Sequence, residues 1–63
     1  MREPEIRYRE LIKANLRDRL AGKLDMEGEN EYCEQLDQAW FEMTPEERLA
    51  AEEWTAGYEV PKS

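Results

Sequence analysis

Between Asn30 and Glu47 the chain reads NEYCEQLDQAWFEMTPEE, and no lysine or arginine occurs from Asp25 to Glu47. At about 100° per residue, Tyr32, Leu36, Ala39, Trp40 and Met43 gather on one side of a cylinder, with Cys33 at their edge. A strand would scatter these side chains over both faces, so the stretch reads as a helix with one wet side. That side carries Glu31, Glu34, Gln35, Gln38 and Glu42, within a block of nine carboxylates. The rest of the chain has to cover the apolar side and tolerate the acidic one.

Sixty-three residues allow one domain, near the lower limit for a core without disulfides, metal or a partner. The large apolar side chains suffice for a thin core between three helices, which is too little to enclose a deep substrate pocket. A single cysteine excludes an internal disulfide framework, and with no histidine there is no zinc-ligand set. Cys33 is expected to be a buried structural residue, and Phe41 to be covered by the first helix, with an exposed anchor as its alternative. No run approaches the roughly 20 apolar residues of a membrane span, and the opening MREPEIRYRE lacks a signal-peptide segment. A cytoplasmic location is expected.

Charge divides unevenly along the chain. Residues 1–24 hold seven basic and four acidic residues (+3), while residues 25–63 hold two basic and twelve acidic (−10), which gives the net −7. The acidic part disfavours nucleic-acid backbones and favours encounter with basic surfaces.

Pro4 suits a first helical turn, and Tyr8, Ile12, Leu16 and Leu20 recur every four residues with Leu11 beside them. Arg9 and Arg19 border this stripe, placed to offer guanidinium groups to carboxylates elsewhere in the chain. Gly22 marks a stop, and LDMEGEN reads as a connector with Leu24 and Met26 dipping into the core, before Gly28 or Asn30 caps the second helix. Thr44-Pro45-Glu46-Glu47 is a capping box that starts a third helix, along which Ala50, Trp54 and Tyr58 form a stripe and Gly57 offers a left-handed ending. The expected fold class is all-α, a small antiparallel three-helix assembly. Its helices are placed over about residues 4–21, 30–43 and 45–57, with a loose tail at 59–63 and with Trp40 and Trp54 meeting near the hinge.

No catalytic, cofactor-binding or metal-binding residues are assigned. Nucleophilic catalysis lacks a histidine base, and solvated carboxylates are poorly placed to hold two different pKa values. The alternating acids from Asp25 fail as a calcium loop, since Asn30 stands where glycine is required and Leu36 where a bidentate glutamate is required. The pattern points instead to a non-enzymatic protein that occupies a basic surface of a partner. Carboxylates three and four apart on a helix stand about 5–6 Å from one another, comparable with phosphate spacing. Asp25, Glu27, Glu29, Glu31, Glu34, Asp37 and Glu42 would stand in for phosphates, with Phe41 adding an apolar contact.

In size, acidity and lack of catalytic residues the whole chain resembles small phage or mobile-element inhibitors that imitate DNA, anti-CRISPR proteins among them. That resemblance implies as target the nucleic-acid channel or motif-reading surface of a Cas subunit or another DNA-binding enzyme, with no cofactor and no direct nucleic-acid contact. The basic first helix departs from a uniformly acidic decoy. It leaves open an antitoxin-like or transcriptional accessory module, or a homodimeric helical unit that buries tryptophan and leucine against a copy of itself.

Overall fold

The computed structural model describes residues 1–61 and is all-α, with α1 at Glu3–Leu20, α2 at Met26–Glu42 and α3 at Pro45–Gly57. Lys62 and Ser63, the end of the expected loose tail, lie outside the described residues. Residues 59–61 follow α3 without regular secondary structure.

Each boundary has a local cause. Pro4 and two acids, Glu3 and Glu5, open α1. Its end is a Schellman motif: the amide of Lys23 donates to Asp18 O at 2.9 Å and that of Gly22 to Arg19 O at 3.2 Å, with Gly22 at φ +70°. The capping box at α3 is complete. Thr44 Oγ1 accepts from the amide of Glu47 at 3.2 Å, and Glu47 Oε1 accepts from the amide of Thr44 at 2.8 Å.

Two expected ends are corrected. Helix α2 starts at Met26 rather than near Asn30, because Asp25 is its N-cap and its Oδ1 accepts from the amide of Gly28 at 2.7 Å. A Cβ on Gly28 would stand 3.1 Å from that oxygen and 3.2 Å from Leu24 Cδ1, so glycine there lets the cap and Leu24 fold in together. Gly57 does not supply a left-handed ending: it stays in α3, and the chain leaves through Tyr58 in an extended conformation.

Helix α1 lies between the other two and packs on both, whereas α2 and α3 touch each other only weakly. The result is thin, 33 × 26 × 16 Å, and its core is shallow. Among the described residues Ala39, Met43 and Ala51 are the buried apolar ones, and no large side chain is fully enclosed. Small residues at the contact let the helices approach closely, while Tyr8, Leu11, Ile12, Leu16, Leu36, Trp40 and Trp54 are half-buried around them. Leu20 and Phe41, both expected to be covered, are exposed, as are Ile6 and Leu49, and Met26 points to solvent instead of dipping inward. A helical stripe needs neighbours on both flanks to be covered, and a layer of three short helices 16 Å thin leaves outer flanks without one.

The tryptophans do not meet as expected. Trp40 tilts against Tyr8 at 5.6 Å across the α1–α2 contact, and Trp54 stacks on Tyr58 at 4.8 Å. Each carries a guanidinium over its ring instead of the other indole, Arg48 over Trp40 at 5.6 Å and Arg9 over Trp54 at 5.2 Å. Arg9 also pairs at 3.2 Å with the buried Glu5 one turn before it in α1, which holds the guanidinium that crosses to Trp54 of α3.

Candidate protein-docking face

Asp25 fixes where α2 begins, and that start places Glu27 and Glu29 on the helix rather than in a loop. Gly28, Tyr32, Leu36, Ala39 and Trp40 are the half-buried or buried positions of the helix, on its α1 side, and the buried Met43 caps its end. About 180° away, at 100° per residue, the outward line runs through Glu27, Asn30, Glu34, Asp37 and Phe41, all exposed. Phe41 stands 77% exposed at the end of this line, with Glu34, Asp37 and Gln38 one and two turns before it.

All eight residues expected at the site are exposed, but they are not equivalent. Asp25 is occupied as the cap. Glu29 accepts from Arg19 at 2.9 Å and Glu42 from Arg7, which ties both flanks of α2 to α1. These exposed pairs stabilise weakly, on the order of 0–1 kcal/mol each, yet they reduce the local negative charge. Glu27, Glu31, Glu34 and Asp37 have no ion-pair partner among the described residues. Glu31 lies at the crevice between α1 and α2, near Lys23, Tyr32 and Asp18, whereas the other three face outward.

Contacts along and at the end of α2 hold this face in place. Tyr32 donates its hydroxyl to Asp18 Oδ2 at 2.7 Å, and that hydrogen bond to a carboxylate raises the phenol above its ordinary range. Tyr8 is also raised, first by burial beneath Trp40 and then by the negative charges of Glu52 and Asp37. At the other end, α2 has no basic residue in its last turn. Arg48 of α3 supplies the missing cation, donating from Nε to Trp40 O at 2.9 Å and from Nη2 to Phe41 O at 3.4 Å. The backbone beneath Phe41 is therefore fixed while its ring stays in water.

Cys33 is exposed on the same helix, which corrects the expectation of a buried thiol: it sits at the edge of the apolar stripe, on the solvent side of Trp40. Among the described residues no group of three or more Cys, Asp or Glu is placed to hold a metal ion. Among those residues, too, no helix is long and apolar enough to cross a membrane. The sequence pattern missed two features here, the Arg48 cap and the division of the acids into paired and unpaired sets. The lone arginine three residues beyond Pro45 was the available signal for the first; the second depends on how α1 crosses α2. Compared with protein-family models, characterised proteins and solved structures, the chain matches none.

Proposed function

We propose that this protein is a non-enzymatic inhibitor that lays the outward face of α2 into a basic, nucleic-acid-binding surface of another protein, in the manner of small DNA-mimicking inhibitors such as anti-CRISPR proteins. The observation that carries the reading is the unpaired line Glu27, Glu34 and Asp37 leading to an exposed Phe41 on a helix held at both ends. Repeated negative charge provides attraction and fast encounter, and a rigid aromatic at the edge of a charged patch is the usual form of an interface anchor. The paired acids Glu29 and Glu42 contribute less, and Asp25 acts through the helix it caps.

Direct nucleic-acid contact by α1 has less support. Arg2, Arg7, Arg9, Lys13 and Arg19 are each engaged with a carboxylate of this chain, which leaves Arg17 and Lys23 beside a strongly negative remainder.

The test compares capture of partners by the wild type, by Glu34→Lys/Asp37→Lys and by Phe41→Ser, at low salt and at about 300 mM salt, where screening shortens below 10 Å. The expected result is a nucleic-acid-binding protein retained by the wild type at low salt, weakened by salt and by either variant, whose nucleic-acid affinity falls when the wild type is added. A captured partner that binds nucleic acid and this protein together, or one indifferent to both variants, rejects the reading.

A further inference from the structure

Helix α3 is attached to the rest of the molecule at its two ends. At its start Arg48 reaches α2, where Nε donates to Trp40 O at 2.9 Å and Nη2 to Phe41 O at 3.4 Å. Beside it Glu47 accepts from Arg2 at 2.8 Å. Toward its far end the ring of Trp54 lies under the Arg9 guanidinium of α1, 5.2 Å from it, and Ala51, between Arg48 and Trp54 along the helix, is fully enclosed. Arg9 is imperfectly placed there. Its Nη2 pairs with Glu5 at 3.2 Å, while its Nε is buried with no hydrogen-bond partner among the described residues. Contact between α2 and α3 is otherwise slight, and the joint between them is short, Met43 and Thr44, both in extended conformation.

We infer that α3 is a clamp on the Phe41 turn of α2: docked on α1 through Trp54 it holds Arg48 on the two carbonyls, and lifted from α1 it takes Arg48 away and lets that turn fray. The far attachment is the one that opens first, because a cation over a half-buried ring is a modest contact and an orphaned donor weakens it further. The capping box makes α3 one stiff piece from Thr44 onward, so its two ends move together. At about 1.5 Å per residue Trp54 stands about 15 Å and Arg48 about 6 Å from Thr44, and a tilt that lifts Trp54 by about 5 Å lifts Arg48 by about 2 Å. That is enough to break both bonds, since the contact to Phe41 O is already at 3.4 Å. The Phe41 ring is exposed in either state; what changes is whether the backbone beneath it is fixed. Docked α3 is therefore the state competent to bind through α2, and whatever lifts α3 lowers the affinity of that face. This use of the clamp rests on the function proposed above. The clamp itself does not, and amide exchange reads it with no partner present, so either can fail without the other.

The experiment follows amide hydrogen exchange by NMR on the purified full chain, as wild type, Trp54→Leu, Arg48→Met and the double variant. Trp54→Leu is expected to speed exchange at Trp40, Phe41 and Glu42 roughly fivefold or more, together with α3, and to leave Glu31, Tyr32 and Cys33 within about twofold of wild type. Arg48→Met should speed the same three amides near Phe41, and adding Trp54→Leu to it should change them no further while still speeding α3. Trp54→Phe, which keeps a flat ring under Arg9, should give the same order of rates at smaller amplitude, and it carries the test should Trp54→Leu fail to fold. A Trp54 variant that speeds α3 and spares the Phe41 turn overturns the inference, as does one that leaves α3 unchanged or speeds all three helices equally. So does an effect of Trp54→Leu on the Phe41 turn that survives in full beside Arg48→Met.

Discussion

Glu47 shows how much one side chain can be asked to do in a molecule this small. Its Oε1 accepts from the amide of Thr44 and from Arg2 Nη1, both at 2.8 Å, so one carboxylate closes α3 and ties down the chain start. The hydrogen bond from the Thr44 amide is the chief cause that holds its pKa below the ordinary glutamate range, with the Thr44 hydroxyl and the Arg2 charge adding and burial opposing. A depressed folded-state pKa stabilises the fold at pH values above the unfolded pKa, and that contribution is lost as pH falls through the folded one. Thermal melts should therefore show Glu47→Gln below wild type at pH 7, with the gap closing under acid conditions beneath the glutamate range. Thr44→Ala removes the reciprocal half and is expected to cost about 1 kcal/mol. A gap between Glu47→Gln and wild type that persists unchanged into strong acid would mean that the charge plays no part.

At the scale of elements, what the sequence revealed was local and what it concealed was tertiary. Thr44 and Glu47 bond within four residues of each other, and the α3 start was readable to the residue for that reason. Asp25 makes an equally local bond, yet the glycine and acids that follow it look like a connector until Leu24 is seen folding over Gly28. The exposure of Leu20 was not readable and that of Phe41 only as an alternative to burial, since periodicity shows which face is apolar and not how many helices cover it. The acidic face of α2 was legible as a pattern, and so was Arg19 reaching a carboxylate elsewhere in the chain, which is Glu29; Arg9 instead pairs with Glu5 inside α1, and the pairing of Arg7 with Glu42 was not legible. Arg48 is the tertiary element that α2 depends on most, because two carbonyls at its C-terminus and the Trp40 ring share one guanidinium. Lysine has neither the planar fork nor the flat stacking surface. Arg48→Lys is expected to cost about 1 kcal/mol and to raise amide exchange in the last turn of α2 selectively. Uniform loss of protection across all three helices would reduce Arg48 to general packing.

For the whole molecule the controlling fact is area. Its accessible surface is 4908 Å² for 7.5 kDa, against about 4,250 Å² expected of a compact monomer of that mass. Exposed helix positions such as Leu20, Phe41 and Leu49 contribute to this surface, and among the described residues the enclosed apolar ones are two alanines and one methionine. Stability should sit near the lower end for a domain of this length, about 3 kcal/mol at 0.05 kcal/mol per residue. Such a protein is unusually sensitive to anything that binds only its folded form. A ligand at a hundred times its Kd adds about 2.7 kcal/mol, and each kcal/mol moves the Tm of so short a chain by about 4–8 °C. A partner that binds through α2 as proposed should therefore raise the Tm by roughly 10–20 °C at that excess. Phe41→Ser should keep the melting temperature of the free chain, because the ring is exposed, and lose most of the rise. If the variant gains as much from the partner as the wild type does, contact is made elsewhere on the surface and the exposed ring has no part in binding.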